Sequence, residues 1–179
     1  MGLRIPRLVR PALLLCGLLL AACGTREAPA PVPIDDEAVG HFCGMLLVNH
    51  PGPKAQIWIA GRNRPLWFAS VADGFAYLAA GEREGRVLAV YVQDMGRAAS
   101  WEDPGRDAWI RAEDAFYVEG SDRRGGMGAP ELVPFADRAA AEAFRARHGG
   151  RIIRFADARA LPLLGTVPVP HDQRPGAGS

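Results

Sequence analysis

The sequence is poor in lysine, cysteine and methionine, and it lacks any excess of charge. Its 21 Lys and Arg stand against 20 Asp and Glu, for a formal net charge of +1, and Lys54 is the only lysine. Without a basic surplus there is no sequence-independent pull toward a phosphate backbone. No zinc-finger spacing or interleaving of aromatic and basic residues compensates, so nucleic acid is excluded as a partner. Long hydrophobic runs are also missing. The longest, Ala12 to Ala22, is about half of the roughly 20 residues that a membrane-spanning helix needs. A P-loop, a dinucleotide fingerprint, a c-type haem motif and a zinc pair are all absent. What is present, 49% hydrophobic and 23% charged residues, is the composition of a globular protein.

The first 22 residues read as an address. Arg4, Arg7 and Arg10 precede the apolar run, and Leu20-Ala21-Ala22-Cys23 closes it with small residues, the order of a secretory signal. Leu-Ala-Ala-Cys resembles the bacterial lipobox, which implies cleavage before Cys23, acylation of that thiol and a mature chain beginning there. More than one acyl chain on a residue gives stable anchoring. By the same resemblance Gly24, in place of Asp, points to the outer membrane, so the expected location is the periplasmic face of the envelope. Losing the leader removes three Arg and leaves the mature chain mildly acidic. Gly24 to Pro33 alternates Pro with small residues and reads as an extended, poorly folded tether, so residues 23–34 form the anchor segment. The Pro- and Gly-rich end, residues 167–179, reads as disordered.

Of the three cysteines, Cys16 leaves with the leader and Cys23 takes lipid, so Cys43 is the one free thiol of the mature chain. In an oxidising compartment such a thiol pairs between molecules, reacts or binds metal. It can equally be a buried Cys packed as a small hydrophobe. Its surroundings bear on the choice. Past the initiator the methionines are Met45, Met95 and Met127, and each touches a glycine. Met127 lies in Ser121-Asp122-Arg123-Arg124-Gly125-Gly126-Met127-Gly128-Ala129-Pro130, a polar loop with nothing apolar to pack on. In an extended His41-Phe42-Cys43-Gly44-Met45, the residues i, i+2 and i+4 share a face. Thiolate with thioether is soft ligation that selects Cu(I), so Cys43, Met45 and a returning Met127 make a candidate set, with His41 a weaker fourth. Met95, at a strand end, reads as a turn or second-layer residue.

The elements fall into a repeated plan. Strands are predicted at Leu46–Asn49, Ala55–Ala60, Pro65–Ala69 and Val87–Gln93, with a helix from the cap Ser70 to Ala80. A second run has strands at Trp109–Ala112, Ala115–Glu119, Glu131–Phe135 and Arg151–Phe155, with a helix from the cap Asp137 to Arg147. The predicted fold is α+β, two tandem ββαβ units over residues 35–97 and 98–166 that share a junction, because units this small need one another to bury enough apolar surface. Asp94, Glu102, Asp103 and Glu131 read as ordinary solvated surface.

These motifs resemble the NosL family, copper-binding accessory lipoproteins of nitrous oxide reductase assembly. The resemblance spans His41 to Phe155. It rests on His41-Phe42-Cys43-Gly44-Met45, Gly52-Pro53-Lys54-Ala55-Gln56-Ile57, Trp67-Phe68 with Asp73, Tyr91-Val92-Gln93-Asp94-Met95, Trp109-Ile110-x-Ala112, Gly126-Met127-Gly128-Ala129-x-Glu131 and Gly149-Gly150. It implies a lipid-anchored carrier that holds one Cu(I) per chain through Cys43, Met45 and Met127. The cargo would pass to the nitrous oxide reductase apo-enzyme, with the help of its membrane transporter assembly complex. An enzyme is not expected: a Cys/His nucleophile needs an orienting acid that nothing marks, and a blue-copper site needs a second His. The alternative is an envelope lipoprotein that binds other proteins, with Cys43 a structural core residue.

Overall fold

The computed structural model describes residues 28–80 and 84–162. The expected leader, the expected acylation site Cys23 and the C-terminal tail expected to be disordered lie outside the described residues. Two antiparallel sheets carry the fold. The first is built from β1 (Ala55–Ile59), β2 (Leu66–Phe68), β3 (Val87–Gln93) and β4 (Trp109–Arg111) in the order β2-β1-β3-β4. The second has β5 (Phe116–Glu119), β6 (Val133–Phe135) and β7 (Arg151–Ile153) in the order β6-β5-β7. Helix α1 (Val71–Ala79) follows β2 and helix α2 (Arg138–His148) follows β6, so the ββαβ wiring repeats as predicted. Gln56 pairs with Trp67 and Tyr91 in one sheet, and Tyr117 with Pro134 and Ile153 in the other.

Caps set the helices. Ser70 Oγ accepts from the N–H of Asp73 at 3.3 Å, and Asp137 accepts from that of Ala139 at 3.0 Å, which satisfies donors the first turn would leave open. Gly149 ends α2 at φ 74°, a conformation that glycine adopts without strain. The period-2 alternation of the strands then sorts side chains between two layers. Ala55, Ile57 and Ile59 of β1 join Val71, Phe75 and Leu78 of α1, Tyr117 and Ile153 of the second sheet, and Leu132 just before β6, in one core. The shared core is why neither unit needs to be stable alone. Val118, Val133 and Phe135 face outward, under Ala141 and Phe144 of α2.

Four features differ from the sequence reading. Leu46–Asn49 is not a strand: Leu47–Asn49 is a 3-10 turn with only Leu47 buried, because Pro51 holds His50 extended and Gly52, at φ 74°, then turns the chain. Trp109–Arg111 does not begin the second sheet but pairs with the end of β3. Phe155 opens a short helix, α3 (Phe155–Arg159), whose Ala158 fills the shared core. The Pro-rich segment is not free over its described part. Ala28 and Val32 pack on Trp58, Ala89 and Tyr91, Gln56 bonds both backbone groups of Val32 at 3.1 and 3.0 Å, and Tyr91 donates to the carbonyl of Pro29 at 2.7 Å.

Candidate metal centre

Cys43 lies on a hairpin tip. Val39 and Leu46 pair antiparallel, the N–H of Gly40 donates to the carbonyl of Met45 at 2.9 Å, and that of Gly44 to the carbonyl of Gly40 at 2.8 Å. The chain therefore coils through His41-Phe42-Cys43 and leaves at Gly44, whose φ of 65° is the left-handed position such a turn requires. This corrects the expectation of an extended segment: His41, Cys43 and Met45 do not lie on a shared strand face. The tip is pinned to β2 by the N–H of His41, which donates to the carbonyl of Trp67 at 2.7 Å.

The coil sends the side chains apart. His41 packs beside Phe68 and Tyr77, with ring centroids 5.7 and 5.3 Å away, and its Nε2 is 3.9 Å from Glu84, itself held by Arg62 at 2.7 Å. Phe42, Cys43, Asp73 and Met127 instead line one open depression of about 370 Å³. Met45 is 43% exposed on the same hairpin, outside that lining. Met95 packs with the second unit's aromatic cluster and takes no part. The structure thus brings together Cys43 and Met127, which are far apart in sequence. It leaves Met45 alongside and turns His41 away.

Three features support the depression. The Cys43 thiol folds over Gly40, where an added Cβ would come within 2.6 Å of Sγ. Gly40→Ala should therefore displace the thiol without unfolding the chain, since Gly40 is not among the residues with positive φ. A roughly fivefold loss in affinity of the site for a soft metal, about 1 kcal/mol, is expected, and an unchanged rate of thiol alkylation would refute the displacement. Asp73, whose carboxyl burial pushes up, comes from the first turn of α1. Glu131 is buried rather than solvated: one oxygen accepts from Ser70 Oγ and from the N–H groups of Ala72 and Leu132 at 3.2, 3.0 and 2.9 Å. Asp94, which does not line the depression, is likewise buried, accepting from the N–H groups of Gly96 and Ala136. Both flank strands, Asp94 after the end of β3 and Glu131 just before β6, where a carboxylate can serve backbone donors.

Among the described residues no three His, Cys, Asp or Glu side chains converge in a way that could hold a metal. The donors that line the depression are the sulfurs of Cys43 and Met127, with the carboxyl of Asp73 beside them. Fold and depression together define a class: a two-unit ββαβ protein in which a free thiol and a thioether face a shared opening.

Within that class the chain belongs to the NosL family, which its residues 31–160 match. It is 46% identical over 159 residues to the copper-binding lipoprotein NosL of Achromobacter cycloclastes, covering 87% of this chain and 82% of that one. A second copper-binding lipoprotein NosL, from Stutzerimonas stutzeri, is 36% identical over 140 residues, 76% of this chain and 72% of the relative. The crystal structure of the copper chaperone NosL from Shewanella denitrificans superposes with a TM-score of 0.66 at 34% identity, covering 73% of this chain and 95% of that one.

Proposed function

We propose that this protein is a non-catalytic carrier that binds one Cu(I) through the Cys43 thiolate and the Met127 thioether, with Met45 as third ligand. The observation that carries the reading is the convergence of the one free thiol among the described residues with Met127 at the mouth of an open, sulfur-lined depression. The names of its relatives, copper-binding lipoproteins and a copper chaperone, support copper as the metal. Soft ligands favour Cu(I) over hard cations, and low coordination lets an acceptor's ligands enter as these leave.

The surroundings of the depression suit transfer. The large apolar side chains left exposed among the described residues are Val39, Phe42, Met45, Leu46, Val48 and Met127, all on the Cys43 hairpin and its continuation or at the Met127 tip. An exposed apolar patch concentrated around one site marks a contact surface. The acceptor we assign to it is the nitrous oxide reductase assembly system: the apo-enzyme, reached with its membrane transporter complex. The carrier would work in the periplasm, anchored through acylated Cys23, in the outer membrane.

An anaerobic titration against a chromophoric Cu(I) chelator tests the binding step. The expected result is one equivalent captured by the purified protein, and capture about tenfold weaker after Met127→Ala. Alkylation separates this from a structural Cys43: the apo thiol should react with iodoacetamide and be protected by Cu(I). A thiol inert in both forms would favour the protein-binding lipoprotein instead.

A further inference from the structure

The loop that carries Met127 is shaped by its own backbone. Arg124 and Pro130 pair antiparallel, Gly125 donates to the carbonyl of Ala129 at 2.9 Å, and Gly128 to that of Gly125 at 2.8 Å. These bonds close the loop but do not aim it. Its aim comes from contacts at its base. His50 Nδ1 bonds the carbonyl of Gly126 at 3.0 Å, and because a carbonyl only accepts, Nδ1 carries the hydrogen. Nε2 is buried and has no hydrogen-bond partner among the described residues. An added Cβ on Gly126 would lie 2.8 Å from His50 Cβ and 2.9 Å from the carbonyl oxygen of Ala69, and one on Gly125 would strike Glu131. The loop is seated with no room to spare.

The other end of this link matters as much. His50 directly follows the turn Leu47–Asn49, which continues the hairpin of Cys43. One hydrogen bond therefore joins the segment bearing the thiol to the residue beside the thioether. On the copper-ligand reading given above, we propose that His50 is a positioning residue of the metal centre: its imidazole N–H clamps the Gly126 carbonyl and holds Met127 toward Cys43. It touches no metal. A carrier whose Met127 ligand swings free binds only in the fraction of time that the ligand is in place, and apparent affinity falls by that fraction. The clamp raises the fraction in the apo protein.

The test uses the full chain in detergent, with His50→Leu, which removes the donor, and His50→Asn, which keeps an N–H near the Nδ1 position. His50→Leu should bind Cu(I) about tenfold more weakly than wild type, as losses of outer partners at metal sites do, and His50→Asn should restore most of it. In a Met127→Ala background His50→Leu should add nothing, because the clamp acts only through that ligand. Without copper, trypsin should cut after the exposed Arg124 several-fold faster in His50→Leu. Should that variant fail to fold, Gly126→Ala, which crowds the same seat, gives the same readings. Unchanged affinity and cleavage, or an equal loss with and without Met127, overturns the positioning role. Wild-type affinity in Met127→Ala overturns the ligand reading instead, and the cleavage rate still reports whether the clamp exists.

Discussion

Replacing Cys43 by Ser is expected to abolish tight Cu(I) capture while leaving the fold intact. Sulfur and oxygen differ little in size, and Cys43 is only partly buried, so no cavity forms. The chemistry changes completely. A serine hydroxyl stays protonated at neutral pH and is hard, whereas the thiolate is the anionic soft donor of the proposed set. Deleting the partner of a metal ligand costs about 10- to 100-fold, so deleting the charged ligand itself should exceed about 100-fold, or about 3 kcal/mol. Competition with a chromophoric chelator under argon measures this directly, and equal affinities in wild type and Cys43→Ser would remove copper from the depression.

A second large effect concerns stability and pH. Burial drives the Glu131 carboxyl up to about 7, against the downward pull of the N–H groups of Ala72 and Leu132 and the hydroxyl of Ser70, while the charge of Asp73 adds to the rise. Burial pulls the Lys54 ammonium down to about 8, opposed by the charge of Glu131; its Nζ donates to the carbonyls of His50 and Pro51 at 2.7 and 3.3 Å, and to that of Gly52. A carboxyl raised in the folded state gives stability that is complete below about 4.5 and lost as pH climbs through 7. An ammonium depressed in the folded state gives stability present above about 10.5 and lost as pH falls through 8. The two contributions together predict a minimum between pH 7 and 8. Glu131→Gln should flatten the acidic limb by about 3 kcal/mol at most. Urea unfolding of both proteins at pH 5 and pH 7.5 checks the sign, and a wild type more stable at pH 7.5, by a margin that Glu131→Gln removes, would contradict it.

Local patterns carried much of this architecture. Ser70 and Asp137 announce helices because an N-cap acts within one turn, and the alternation of β1 and β5 is visible because a strand between two layers sorts its residues by parity. Trp109–Arg111 defeats the same reading, since a strand shows its apolar pattern but not which neighbour completes its ladder. The Cys43 segment defeats it for another reason. Gly44 can serve an extended strand or supply a left-handed φ, and only the bonds among Gly40, Gly44 and Met45 decide between them. Glu131 looked solvated because a carboxylate ordinarily is, and the three donors that keep it buried include Ala72 of α1 and its cap Ser70, some sixty residues away in the chain. The sulfur residues themselves stood out through scarcity: a Met in a polar glycine loop has no packing role to explain it, and the structure places that Met in the lining shared with Cys43.

The docking of Ala28 to Val32 on the outer face of β1 and β3 shortens the leash. With acyl chains on Cys23, as proposed, only the residues before Ala28 separate the lipid from the first docked contact, and at no more than about 3.5 Å per residue their reach is under about 20 Å. The domain then cannot sweep a wide hemisphere above the bilayer. So anchored, it would ride close to the lipid, with the face of Trp58 and Tyr91 nearest the anchor and a restricted set of headings for the Cys43 hairpin. Encounter with an acceptor becomes a problem of reach, in which effective concentration collapses once the gap exceeds the span. Spacer residues inserted after Gly24 would act as a ruler for the distance at which the cargo is handed over.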